Sequence, residues 1–103
     1  LTSARVRALI TRDLEQGVSP TLPAIASTLA MSERTVQRLL REEGLQFRDL
    51  LDEVRAMLAK QLLADGVLSI GRIAEQLGFD SLSSFTRACR RWHGVTPRAL
   101  RQS

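Results

Sequence analysis

Residues Ile73 to Arg101 read IAEQLGFDSLSSFTRACRRWHGVTPRALR. Just upstream, Ser69 can cap a helix containing Ile70, Ile73, Ala74 and Leu77, Gly78 permits a sharp turn, and Asp80 or Ser81 caps a second helix. At about 100° per residue, Leu82, Phe85, Cys89 and Trp92 share one arc of that second helix. Ser83, Ser84, Arg87, Arg90 and Arg91 share the opposite arc. A short helix, a tight turn and an amphipathic second helix form the helix-turn-helix signature. Thr96 followed by Pro97 predicts a short last helix with Leu100 inward.

The stretch has an earlier echo. Ile25, Ala26, Leu29 and Met31 match Ile73, Ala74, Leu77 and Phe79 at an offset of 48. Beyond the turn, Val36, Arg38, Leu40 and Arg41 match Phe85, Arg87, Cys89 and Arg90 at 49, and Gly44, Phe47 and Leu50 match Gly94, Pro97 and Leu100 at 50. Drift by single residues at turns is what a duplicated helix-turn-helix produces. In the first copy a helix starts near Pro23, and Ser32 caps a second helix that Gly44 ends. Val36, Leu39 and Leu40 fall together on that helix, opposite Arg34, Gln37, Arg38 and Arg41. Ala30 stands where the second copy has Gly78. A left-handed alanine costs about 1 kcal/mol, so the first turn is expected to differ in geometry.

Between the copies, Phe47, Leu50, Leu51, Val54, Leu58 and Leu62 mark a long amphipathic helix from Gln46 to about Asp65, broken by Gly66. At 1.5 Å per residue it spans roughly 27 Å, against about 34 Å between successive major grooves on one face of DNA. Two recognition helices on one chain are thus expected to enter adjacent grooves. Ahead of the first copy, Ser3 is expected to cap a packing helix with Val6, Leu9, Ile10 and Leu14 inward and Gly17 at its exit. The division expected is 1–45, a linker helix 46–66, and 67–103. The fold class is all-α, with about seven helices and two homeodomain-like helix-turn-helix subdomains.

Composition narrows the function. Fourteen of the fifteen basic residues are Arg, Lys60 being the exception, and the net charge is +4. Ser81 to Arg101 carries five Arg and no acid, so +5 sits there and the remainder is −1. Guanidinium forks suit phosphates and guanine edges, which points to nucleic acid over a merely solvated face. No apolar run approaches a membrane span of roughly 20 residues. A single cysteine, Cys89, excludes an internal disulfide, and His93 alone beside it makes no zinc ligand set. Cys89 and Trp92 lie on the apolar arc and read as core, His93 as a helix C-terminal residue, and Asp49, Asp52 and Glu53 as a solvated helix face. No metal, cofactor or catalytic site is expected, and the chain reads as cytoplasmic.

These residues resemble the DNA-binding domain of the AraC/XylS family of bacterial transcription regulators. The resemblance covers nearly the whole chain and is carried by IASTLAMSERTVQRLLREEG, FRDLLDEVRAMLAKQLLAD and the opening stretch, with its Ile-Ala, Gly-Phe, Phe-x-Arg, Gly and Pro. It implies control of transcription on double-stranded DNA, as an activator that also touches RNA polymerase. It also implies an effector-binding and dimerising domain ahead of Leu1. Base-facing positions fall by the resemblance on Arg34, Gln37 and Arg38, and on Ser83, Ser84, Thr86 and Arg87. The helix arcs select the same set except Thr86. Ser32, Arg41, Ser81, Arg90 and Arg91 are expected at backbone phosphate. The family often has Phe at Cys89 and Tyr at Leu100, so the second core is expected to pack loosely or be compensated by Trp92. Two alternatives are a DNA-repair methyl-transfer protein, which needs an exposed, activated Cys89, and an interaction module without sequence preference. The first copy, with Arg34, Gln37 and Arg38 together, is expected to read more of the sequence, and the second to secure position.

Overall fold

The computed structural model describes residues 1–102. Its helices are α1 (Thr2–Glu15), α2 (Leu22–Thr28), α3 (Glu33–Glu42), α4 (Phe47–Asp65), α5 (Ile70–Gln76), α6 (Leu82–His93) and α7 (Pro97–Arg101), and no strand occurs among the described residues. Local chemistry starts most of them. Side chains of Thr21, Ser32, Ser69, Ser81 and Thr96 accept from the backbone N–H three residues on, at 3.0 to 3.3 Å. Each such cap is worth about 1 kcal/mol.

The chain forms two compact units, Leu1–Val54 and a second from Arg55 onward. In the first, Val6, Ile10 and Leu14 of α1, Ile25 and Ala26 of α2, Val36 and Leu40 of α3, and Leu50 and Val54 of α4 form the buried core. In the second, Leu58, Ala59 and Leu63 of α4 pack with Ile73, Ala74, Leu77, Phe85, Ala88 and Cys89. The opening turns of α4 lend Leu50 and Val54 to the first core, and its later turns lend Leu58, Ala59 and Leu63 to the second. Phe79 lies 5.3 Å from the Phe85 ring and edge-on to Trp92 at 5.9 Å. Trp92 thus joins the aromatic cluster, and Cys89 is fully buried.

Two local expectations are corrected. Ser3 does not cap α1; it lies inside the first turn, buried, and gives both its N–H (3.1 Å) and its hydroxyl to the carboxylate of Glu43. The cap arrives from the end of α3, placing negative charge at the α1 N-terminus and satisfying an N–H with no partner inside the helix. The Ser3 hydroxyl above all holds the Glu43 carboxyl below its usual range, while partial desolvation opposes this. A carboxyl lowered on folding contributes stability that is complete above its unfolded pKa and is lost as pH falls through the folded one. Acid titration of urea stability should therefore show a loss below the ordinary carboxylate range that Glu43→Gln removes.

The first turn also keeps the geometry of the second. Ala30 takes φ 57° and Gly78 φ 86°. After α2, Ala30 N–H bonds Ser27 O and Met31 N–H bonds Ala26 O; after α5, Gly78 bonds Glu75 O and Phe79 bonds Ala74 O, all at 3.0 Å. This paired closure satisfies the last carbonyls of the helix, and it holds Ala30 left-handed despite the strain. Ala30→Gly should raise stability by about 0.5–1 kcal/mol, the relief of strain less the added freedom of the unfolded chain. Gly78→Ala should do the reverse and more. A Cβ there meets the Arg55 guanidinium at 2.9 Å, and Arg55 is committed, donating to Leu77 O at 2.8 Å and lying 5.0 Å over Phe79. A loss above about 1 kcal/mol, read from thermal unfolding of the two variants, checks the contrast.

Candidate nucleic-acid interface

In each unit the second helix of the helix-turn-helix buries one arc and leaves the other in solvent. On α3, Val36 and Leu40 are fully buried while Arg34, Gln37, Arg38 and Arg41 are exposed. On α6, Phe85, Ala88 and Cys89 are buried, Ser83, Arg87, Arg90 and Arg91 are exposed, and Ser84 and Thr86 are half-buried. Each helix thus carries a polar, largely basic face held rigid by its own core.

The partners of these side chains differ. Arg38 pairs with Glu42 one turn on at 2.8 Å, both side chains more than half exposed. Such a pair is worth at most about 0.5 kcal/mol, so a base edge can take the guanidinium at little cost. Ser32 and Ser81 hold the N-termini of α3 and α6, and their hydroxyls also donate to Thr35 (2.9 Å) and Ser84 (3.0 Å). Ser84 in turn donates to Asp80 at 3.2 Å and accepts from Arg87 at 3.3 Å, so a short polar chain steadies Arg87. Arg91 lies 5.5 Å over the Trp92 ring. In the first unit a groove of about 350 Å³ is bounded by Gln37 and Arg41 of α3, Gln46 of the following turn, and Phe47 and Arg48 of α4.

The helix-turn-helix domain model matches residues 25–103. The chain belongs to the AraC-type helix-turn-helix family. It is 42% identical over 99 residues, 96% of its length, to the HTH-type transcriptional regulator VirS of Mycobacterium tuberculosis. Among solved structures it is similar to a DNA-binding transcriptional dual regulator from Escherichia coli, with TM-score 0.89 and 34% identity over 98% of this chain and 89% of that one. It is also similar to the transcriptional regulator CdpR from Pseudomonas aeruginosa, with TM-score 0.79 and 41% identity over 95% of this chain and 32% of that one. The chain spans 29% of VirS, so it corresponds to a part of such regulators. It is an AraC-type DNA-binding domain of the transcription-regulator class.

Within this AraC-type domain, Cys89 is fully buried and burial pushes its thiol up to about 11. At neutral pH it is protonated and out of reach, the opposite of what methyl transfer to a nucleophilic sulfur requires. His93 sets Nε2 at 3.0 Å from Ala56 O, so that nitrogen carries the hydrogen and ties the end of α6 to α4. Among the described residues no cluster of His, Cys, Asp or Glu is arranged to hold a metal, and no helix is long and apolar enough to cross a membrane.

Sequence reasoning passed over one residue of this surface, and two that it placed are corrected. Arg48 lines the groove with Arg41, a role that its place in a long amphipathic helix does not announce. Asp80 does not cap α6; it accepts from Ser84, and the adjacent Ser81 makes the cap. Leu82, expected on the inner arc, is 52% exposed. It is the first residue of α6, and side chains lean toward the N-terminus of a helix, which carries this one past the edge of the core.

Proposed function

We propose that this AraC-type domain binds duplex DNA sequence-specifically, with α3 and α6 entering successive major grooves. Arg34, Gln37 and Arg38 read base edges in one, and Ser83, Ser84, Thr86 and Arg87 in the other. Arg41, Arg90, Arg91 and the helix ends held by Ser32 and Ser81 meet phosphate and set register. The observation that carries the reading is the pairing, on both helices, of a buried apolar arc with an exposed arc of Arg, Gln and Ser. Arg and Gln are the side chains whose paired hydrogen bonds distinguish guanine and adenine. The domain acts in the cytoplasm as the promoter-binding part of an activator, touching RNA polymerase and joined to an effector-binding, dimerising domain.

Selection from random duplexes at physiological salt tests the binding. The expected product is a bipartite site whose halves lie about one helical turn apart. Recovery of a single half-site would remove α6 or α3 from base reading, and no enrichment at all would leave only charge-driven binding. Transcription from a promoter carrying the selected site, with purified polymerase, tests activation; repression or no change refutes that part.

A further inference from the structure

Leu82 is a large apolar side chain left 52% exposed at the first position of α6. Scattered exposed leucines are ordinary on protein surfaces, but this one lines a shallow groove of about 340 Å³ together with Ser83, Thr86 and Arg87. Packing does not require it there, because the core of the unit is closed by Phe85, one turn further on and fully buried.

We infer that Leu82 is a specificity residue that contacts the 5-methyl group of a thymine. The inference rests on the reading of α6 as a base-facing helix. A leucine has no donor or acceptor, so it cannot recognise a polar base edge. The one apolar group the major groove offers is the thymine methyl. Set against the cytosine amino group instead, Leu82 strips water from a donor and returns nothing, which selects thymine over cytosine at that step. The neighbouring Arg87 and Ser83 supply the polar contacts that fix α6 along the groove. The second unit thereby adds an apolar base contact to the polar ones of Ser83, Ser84, Thr86 and Arg87.

The test uses duplexes recovered by selection, with each thymine of the second half-site replaced in turn by deoxyuridine, which lacks only the methyl. For the native chain one replacement should weaken binding about fourfold, the effect of burying one methyl-sized group. Leu82→Ser should lose this discrimination while melting as the native chain does, since its side chain is already half in solvent. Specific binding that is indifferent to every deoxyuridine, a selected second half-site without thymine, or a methyl effect that survives in Leu82→Ser overturns the inference and leaves the broader reading standing. Absence of any preferred sequence brings down both.

Discussion

Replacing Phe85 with alanine is expected to destabilise the second unit by about 3–5 kcal/mol. The side chain is fully buried, and its ring lies 5.3 Å from Phe79. Phe79 in turn meets Trp92 and lies under the Arg55 guanidinium. Removing the Phe85 ring leaves a void against Phe79, a rigid aromatic that Trp92 and Arg55 hold in place, so the site collapses poorly. Whole domains are stable by only about 5–15 kcal/mol, and a unit of this size is at the weak end. The urea midpoint should therefore fall steeply, and DNA affinity should fall with it because α6 loses the face that anchors it. Phe85→Leu keeps most of the volume and should lose under about 1.5 kcal/mol. Indistinguishable midpoints for the two variants would contradict the placement of Phe85 at the centre of the core.

The second large effect falls on recognition. Losing Gln37 or Arg38 should relax preference at one base step by about 1–3 kcal/mol while leaving other steps as selective as before. Arg38 is the sharper case, because the pair with Glu42 that competes for it on α3 is exposed and weak. Arg90→Ala should instead weaken every sequence alike and lower the slope of log affinity against log salt by about 1. Competition binding over a panel of single-base variants at several salt concentrations separates the two behaviours. Parallel losses on every sequence from both substitutions would contradict the division between base-reading and phosphate-holding arginines.

Much of this was legible in the chain because it is written locally. Ser32, Ser69, Ser81 and Thr96 cap helices through bonds that span three residues, so the cap and its helix are read together. The repeat made each copy a check on the other, and the exposed arcs of α3 and α6 follow from periodicity alone. What escaped was tertiary or axial. Glu43 reaches back 40 residues to Ser3, and nothing near either residue announces it. Ala30 was weighed by its intrinsic cost, which two main-chain hydrogen bonds and the surrounding core override. Leu82 was misplaced because angle around a helix says nothing about position along it; a residue on the inner arc still lies outside if the core has already ended. Arg55 and Arg48 were hidden in the same way, since a long amphipathic helix gives no sign of where one core stops using it and the next begins.

That shared helix bears on how the protein can be taken apart. The two copies look like cassettes, yet no loop separates them. A fragment stopped at Gly44, where the repeat first closes, forfeits Leu50 and Val54 and leaves the first core open on one side. A fragment begun at Ser69 lacks Leu58, Ala59 and Leu63, and also the Arg55 side chain that grips the Leu77 carbonyl. A cut that leaves each core its own residues falls near Val54 and Arg55, in the middle of a continuous helix, where it exposes new unpaired backbone groups on both sides. The repeat suggests two separable halves, but α4 supplies residues to both cores and ties them into one chain segment.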